Sequence, residues 1–148
     1  MTVQQLTLNQ VNQGMQECIQ NCLDCHSICL NTVTYCLQKG GNHVEQSHIR
    51  LLLDCAEICQ TSANFMLRTS QLHARTCEVC AEVCERCAEN YVRVAAPKEL
   101  RMGDDAQMKA CADMCRRCAE SCRQMSNVAI ETHAEARLKT DLNQDLLI

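Results

Sequence analysis

Fifteen cysteines fall in rows whose steps are three or four residues. The rows are Cys18, Cys22, Cys25 and Cys29, with Cys36 beyond them; Cys55 and Cys59; Cys77, Cys80, Cys84 and Cys87; and Cys111, Cys115, Cys118 and Cys122. Residues three and four apart share one face of a helix. Each row therefore lines one side of a rod with thiols. Thiolate is a soft donor that selects Cu(I), zinc or iron–sulfur clusters. Six Cys-x-x-x-Cys pairs, 18/22, 25/29, 55/59, 80/84, 111/115 and 118/122, each bring two sulfurs within reach of one cuprous ion. Stacked along a common axis, such pairs would hold several Cu(I) ions on shared sulfurs.

Other soft-metal chemistry fits the spacing less well. Structural zinc wants four ligands in one closed tetrahedron, usually from two separated Cys-x-x-Cys knuckles. Here the Cys-x-x-Cys steps 77/80 and 84/87 belong to continuous rows. Iron–sulfur clusters take four cysteines each. The alternatives kept open are a buffer for zinc or another thiophilic metal, and a thiol redox protein or sensor. A sensor would want an exposed, low-pKa cysteine beside a resolving partner, and inward rows do not single one out. Disulfides suit secreted mini-proteins, but the cysteine count is odd and follows helix turns. As mere core filler, fifteen thiols are hard to justify where Leu or Ala would pack without oxidation risk. Buried without metal, such thiols are expected to be neutral, with pKa values raised by apolar surroundings. Cu(I) would displace their protons, so the apo chain is expected to fold around a thiol-packed core.

Composition says what must position these rows. The chain has 148 residues, enough for one domain, 1–148. One Pro and four Gly leave little turn punctuation, so long helices are expected. Leu, Ile, Val and Phe supply only 31 residues, so the thiols must serve as small core residues. A net charge of -4 excludes an evident nucleic-acid face. The first residues show neither a basic nor an apolar leader segment, and no apolar run is long enough to cross a membrane. The expectation is a cytosolic chain with no membrane partner.

The pattern predicts an all-α, antiparallel four-helix bundle with a cysteine-lined core. Helices are expected at about 12–38, 44–72, 76–94 and 104–136, with a short helical piece at about 97–102. Lys39-Gly40-Gly41-Asn42 should stop the first, Thr76 should cap the third, and Asp104 the fourth. Leu51, Ile58, Phe65 and Leu72 recur every seven residues, and Ile19, Leu23, Leu30 and Leu37 play a similar part; these should join neighbouring rods. Folding each helix back on the last gives layers: Cys25, Cys59, Cys87 and Cys111; Cys22, Ser62, Cys84 and Cys115; Cys18, Met66, Cys80 and Cys118; Met15, Thr69, Cys77 and Cys122. In the other direction lie Cys29, Cys55, Tyr91 and Met108, then Cys36 and His48.

These motifs, CIQNCLDCHSIC at 18–29, CAEIC at 55–59, CEVCAEVCERC at 77–87 and CADMCRRCAESC at 111–122, resemble the bacterial copper storage proteins, closest to the branch without an export signal. The likeness covers about residues 12–135. It implies a homotetramer of four-helix bundles filled with Cu(I) on cysteine pairs, and histidine or methionine near an open end. The second helix departs from the pattern, with two cysteines and with Ser62 and Met66 at further inward positions.

Met15, Met66 and Met108 lie on the inward stripe as candidate thioether ligands, with core filler as the bland reading. His48 is a candidate ligand near the Gly-Gly turn, and His43 lies in that turn. His26, beside Cys25, reads as an interface residue. Glu45 to His48 matches the Glu-x-x-His of di-iron bundles, but the remaining carboxylates of such a site are absent from the other rows. No catalytic nucleophile, acid–base pair or phosphate loop stands out, so an enzyme is not expected.

Overall fold

The computed structural model describes residues 3–95 and 105–146, with side chains from 13 to 91, at 94 and from 105 to 127. These residues form four α-helices: α1 Val3–Lys39, α2 Gln46–Leu67, α3 His73–Ala95 and α4 Ala106–Leu146, with a 3₁₀ turn at Gly41–Val44. Each helix packs on two neighbours in the ring α1–α2–α3–α4. Cross-helix sulfur pairs run in opposite sequence directions, 18/122 and 29/111 between α1 and α4 and 59/80 and 55/84 between α2 and α3, so neighbours are antiparallel.

The turns follow from local chemistry. α1 stops at the glycines: Gly40 and Gly41 sit at φ 73 and 61, and the Gly40 N–H closes on the Cys36 carbonyl at 3.0 Å. A Cβ there would cost about 1–2 kcal/mol. α2 ends five residues earlier than the heptad suggests. Ser70 N–H reaches back to the Phe65 carbonyl at 2.9 Å and Thr69 N–H to Met66 at 3.0 Å, a Schellman-type close with Thr69 at φ 52. Nothing in the composition of Arg68–Leu72 advertises this, because the left-handed residue is not glycine. α3 then starts at His73, so Thr76 lies inside it. Its hydroxyl donates to the His73 carbonyl at 3.0 Å instead of capping. Asp105 precedes α4 and accepts the Met108 N–H at 3.4 Å, the capping contact. Asp104 and the piece at 97–102 lie outside the described residues.

The seams between rods are also not those expected. Leu51, Ile58, Ile19 and Leu23 are half-buried against the core, but Leu30, Leu37 and Leu72 are exposed. The buried seven-residue repeats are alanines: Ala56 and Ala63 on α2, Ala81 and Ala88 on α3, Ala112 and Ala119 on α4. Alanine lets backbones approach closely, and close approach is what lets short cysteine side chains meet at the axis. At the far end, the helices are equally tight. A Cβ on Gly14 of α1 would lie 3.0 Å from the Met125 methyl of α4.

Candidate metal centre

All fifteen cysteines are free and buried. Cys87 is the most exposed at 6%, Cys111 follows at 3%, and the others are at 0%. Twelve of their sulfurs run in a continuous chain of contacts. Cys18 and Cys22 each lie 3.6 Å from Cys122, and Cys22 lies 3.7 Å from Cys118. Cys59 meets Cys80 at 3.6 Å and Cys84 at 3.7 Å. Cys55 meets Cys84 at 3.6 Å, and Cys25 meets Cys115 at 3.8 Å. Cys29 lies 3.9 Å from both Cys111 and Cys115.

Among the described residues, five sets have all their sulfurs within 4.8 Å of one another: Cys22, Cys80, Cys118 and Cys122; Cys25, Cys29, Cys55 and Cys115; Cys25, Cys55, Cys59 and Cys84; Cys59, Cys80, Cys84 and Cys118; and Cys18, Cys77 and Cys122. The sets overlap, so most sulfurs could bridge two ions. An all-sulfur donor array buried from solvent in this way fits soft cations and no hard one. Cys36, Cys87 and Cys111 stand outside the five sets.

The expected layering holds within each half of the bundle and slips between the halves. Cys55 stays level with Cys29 and Cys59 with Cys25, and Cys118 and Cys122 stay level with Cys80 and Cys77. Between α2 and α3, however, Cys59 meets Cys80 and Cys84 instead of Cys87. The cause is the early end of α2, which moves the turn and carries α3 and α4 along by one helical turn. Thr69 consequently leaves the axis for the exposed turn. Met108 sits not beside Cys29 and Cys55 but 3.7 Å from Cys36.

Non-cysteine candidates divide between the two ends. At one end, Met66 is 1% exposed with its sulfur 3.8 Å from Cys77. Met15 is half-buried against the same core. At the other end, His48 Nε2 lies 3.3 Å from Cys36 Sγ, with Met108 on the other side of that sulfur. His43 turns away from the sulfurs to Asp105, at 2.7 Å, and meets the Tyr35 ring edge-on. His26 bonds the Ala56 carbonyl at 2.7 Å, joining α1 to α2 as an interface residue. Asn90 escaped the sequence reading. It is buried and lies 2.6 Å from His48 Nδ1. The signal was available, since Asn90 continues the row 77, 80, 84, 87 by one more step of three.

Protonation is less uniform than burial alone would make it. Burial, reinforced by the Asp105 charge, pushes Cys36 up to about 12. Contact with Cys111 draws Cys87 down to about 6. Cys118 is held low by Cys122 and other neighbours, while contact with Cys118 holds Cys22, Cys59 and Cys84 high. The buried thiols thus bond one another, each sulfur within reach of a neighbouring thiol.

Ser62 marks an incomplete set. Its hydroxyl lies 3.4 Å from Cys77, one of the three sulfurs of the set Cys18, Cys77 and Cys122. Ser62→Cys is expected to complete that set. It should raise the number of soft-metal ions bound per reduced chain, measured by metal-to-protein ratio after gel filtration. An unchanged ratio would mean that this end of the column does not take metal.

The family model described as copper storage protein matches residues 11–127. Among solved structures, the chain is similar to a Nitrosospira multiformis protein, with 42% identity, 79% of this chain and 98% of that one covered, and a TM-score of 0.67. It is similar to the Cu(I)-bound copper storage protein of Bacillus subtilis, with 32% identity, coverage of 76% and 98%, and a TM-score of 0.66. It is also similar to the cytosolic copper storage protein of Streptomyces lividans, solved during loading with five coppers, with 25% identity, coverage of 78% and 94%, and a TM-score of 0.68.

Proposed function

The chain belongs to the copper storage protein family, and from that premise we propose which of its residues hold the copper and how it is taken up. It binds multiple Cu(I) ions through clusters of cysteine thiolates, and its role is storage, not catalysis. The copper is cargo. The observation that carries the assignment of ligands is the overlap of the five thiol sets along one buried axis. We assign the main store to their twelve cysteines, extended by Cys111 through its contact with Cys29 and by Cys87 through its contact with Cys111. Cys36, His48 and Met108 form an end site of one thiolate, one imidazole and one thioether. Met66 supplies a thioether beside Cys77 at the opposite end, with Met15 near it. Each ion that enters displaces thiol protons, so sulfur charge and metal charge arrive together.

The setting follows the same reading. No described helix is long and apolar enough to cross a membrane, and a relative described as cytosolic shares the fold; both support a cytosolic store. Exposed Leu30 and Leu37 on α1 offer apolar surface for self-association; the homotetramer that the family resemblance implies is what sedimentation of the apo protein would return, and a monomer would remove that part of the reading. Anaerobic titration of the reduced protein with Cu(I) against a competing chelator tests the store itself. Many equivalents are expected, with protons released as they bind. Saturation after one or two ions would overturn the assignment.

A further inference from the structure

Cys36 ends the column with a directed chain of its own. Asn90 Nδ2 lies 2.6 Å from His48 Nδ1, His48 Nε2 lies 3.3 Å from Cys36 Sγ, and the Cys36 thiol points at Met108 Sδ, 3.7 Å away. His48 is 2% exposed and Asn90 9%. A side-chain amide nitrogen only donates. Nδ1 of His48 therefore accepts, and the neutral ring keeps its proton on Nε2, aimed at the Cys36 sulfur. A cuprous ion between Cys36 and His48 needs the Nε2 lone pair, the position that this tautomer closes.

We propose that Asn90 is the positioning residue that sets the His48 tautomer, and with it the competence of the Cys36 end to take Cu(I). The proposal rests on the reading of His48 as a ligand given above and deepens it. In the empty protein the Asn90 amide nitrogen holds His48 with Nε2 protonated. When copper arrives, a half-turn of the amide presents its oxygen, which accepts from Nδ1–H. The balance is simple. The Cys36 S–H bond breaks and its proton leaves to solvent. The Nε2 proton is exchanged through water for one on Nδ1. Bonds form from Cys36 Sγ and His48 Nε2 to copper, which stays Cu(I). Asparagine alone among residues of this shape offers a donor and an acceptor at one place. Aspartate would only accept, and leucine would do neither. A ligating histidine normally has its second ring nitrogen bonded, and losing that partner costs about 10–100-fold in metal affinity.

The test is ¹⁵N NMR of the histidine rings in the reduced, copper-free protein, with the His48 signals identified by their loss in His48→Gln. The wild-type ring is expected to carry its proton on Nε2. Asn90→Asp should move it to Nδ1 before any copper is added, and Asn90→Leu should leave a mixture of the two forms. On loading with Cu(I) to saturation, the wild-type Nε2 signal should shift to a metal-bound position with Nδ1 protonated. Asn90→Leu should weaken that event about tenfold at unchanged helicity, and Asn90→Asp should restore it. The same tautomer in the wild type and both copper-free variants would overturn the proposal. Tautomers that differ as expected, followed by a His48 Nε2 signal that copper leaves unmoved, would overturn the end site itself and the proposal with it. The two failures are distinguishable because the first appears before copper is present.

Discussion

Replacing Cys111, Cys115, Cys118 and Cys122 together by alanine is expected to remove more than half of the Cu(I) capacity while the bundle stays folded. Four of the five close sets contain at least one α4 sulfur; only Cys25, Cys55, Cys59 and Cys84 form a set without one. The loss should exceed a simple proportion of the thiols removed, because α4 sulfurs bridge. Cys118 belongs to two sets and Cys122 to two. The fold should tolerate the change, since alanine is the best helix former and α4 already buries Ala112 and Ala119 between the same rods. Cys36→Ala is the matched control. Cys36 lies outside all five sets, so its loss should alter the bulk capacity little. Capacity is read by chelator competition and helicity by far-UV circular dichroism. A quadruple variant that binds nearly as much copper as Cys36→Ala would show that the sulfurs do not act as one connected store.

The same arithmetic makes α2 more important than its sequence suggests. It carries only two cysteines, yet Cys55 or Cys59 enters three of the five sets. Row length in the sequence measured how many thiols a helix offers, not how many neighbours each thiol reaches. Reach is set by depth along the axis, and both α2 cysteines sit mid-column with contacts to α3 and α4.

Periodicity alone carried the all-α bundle, the inward direction of all fifteen thiols and the pairing within each half. It carried these because cysteines at steps of three and four can face a common core in only one way. What it could not carry was the α2–α3 turn. That turn uses Thr69 at positive φ where glycine would have announced it, and one unannounced turn displaced half of the layers. The seams were misread for a related reason. Leucine repeats draw the eye, but Leu30, Leu37 and Leu72 face outward while alanines do the packing. Asn90 was missed because Tyr91, one residue further, looked the better core residue. The row continued through the amide instead, where His48 needed a partner.

Reduced, copper-free protein is expected to lose its helices as the pH rises from about 9 to about 12, while copper-loaded protein keeps them. The fold holds Cys36, by burial first, up to about 12 from an ordinary 9.0. It does the same to Cys77, where contact with Cys122 pulls down but contact with Cys18 and burial together prevail. Between 9 and 12 the unfolded chain has lost these protons and the folded chain has not. Stability from both groups is therefore complete below 9 and lost on the way to 12. For Cys36 a gap of that size is worth on the order of 4 kcal/mol, a large part of the total of about 5–15 kcal/mol that holds a domain folded, and Cys77 adds to it in the same direction. Cys87 acts in the opposite sense. Drawn down to about 6 by Cys111, it adds stability that is complete above 9 and lost as pH falls through 6. Copper removes the alkaline limb, because a metal-bound thiolate has no proton left to lose. It creates an acid limb instead, since protons compete with copper for sulfur. Circular dichroism of both forms against pH reads the difference directly. Equal helicity of the empty protein at pH 9 and pH 12, or melting of both forms together, would contradict a fold that depends on the protons of Cys36 and Cys77.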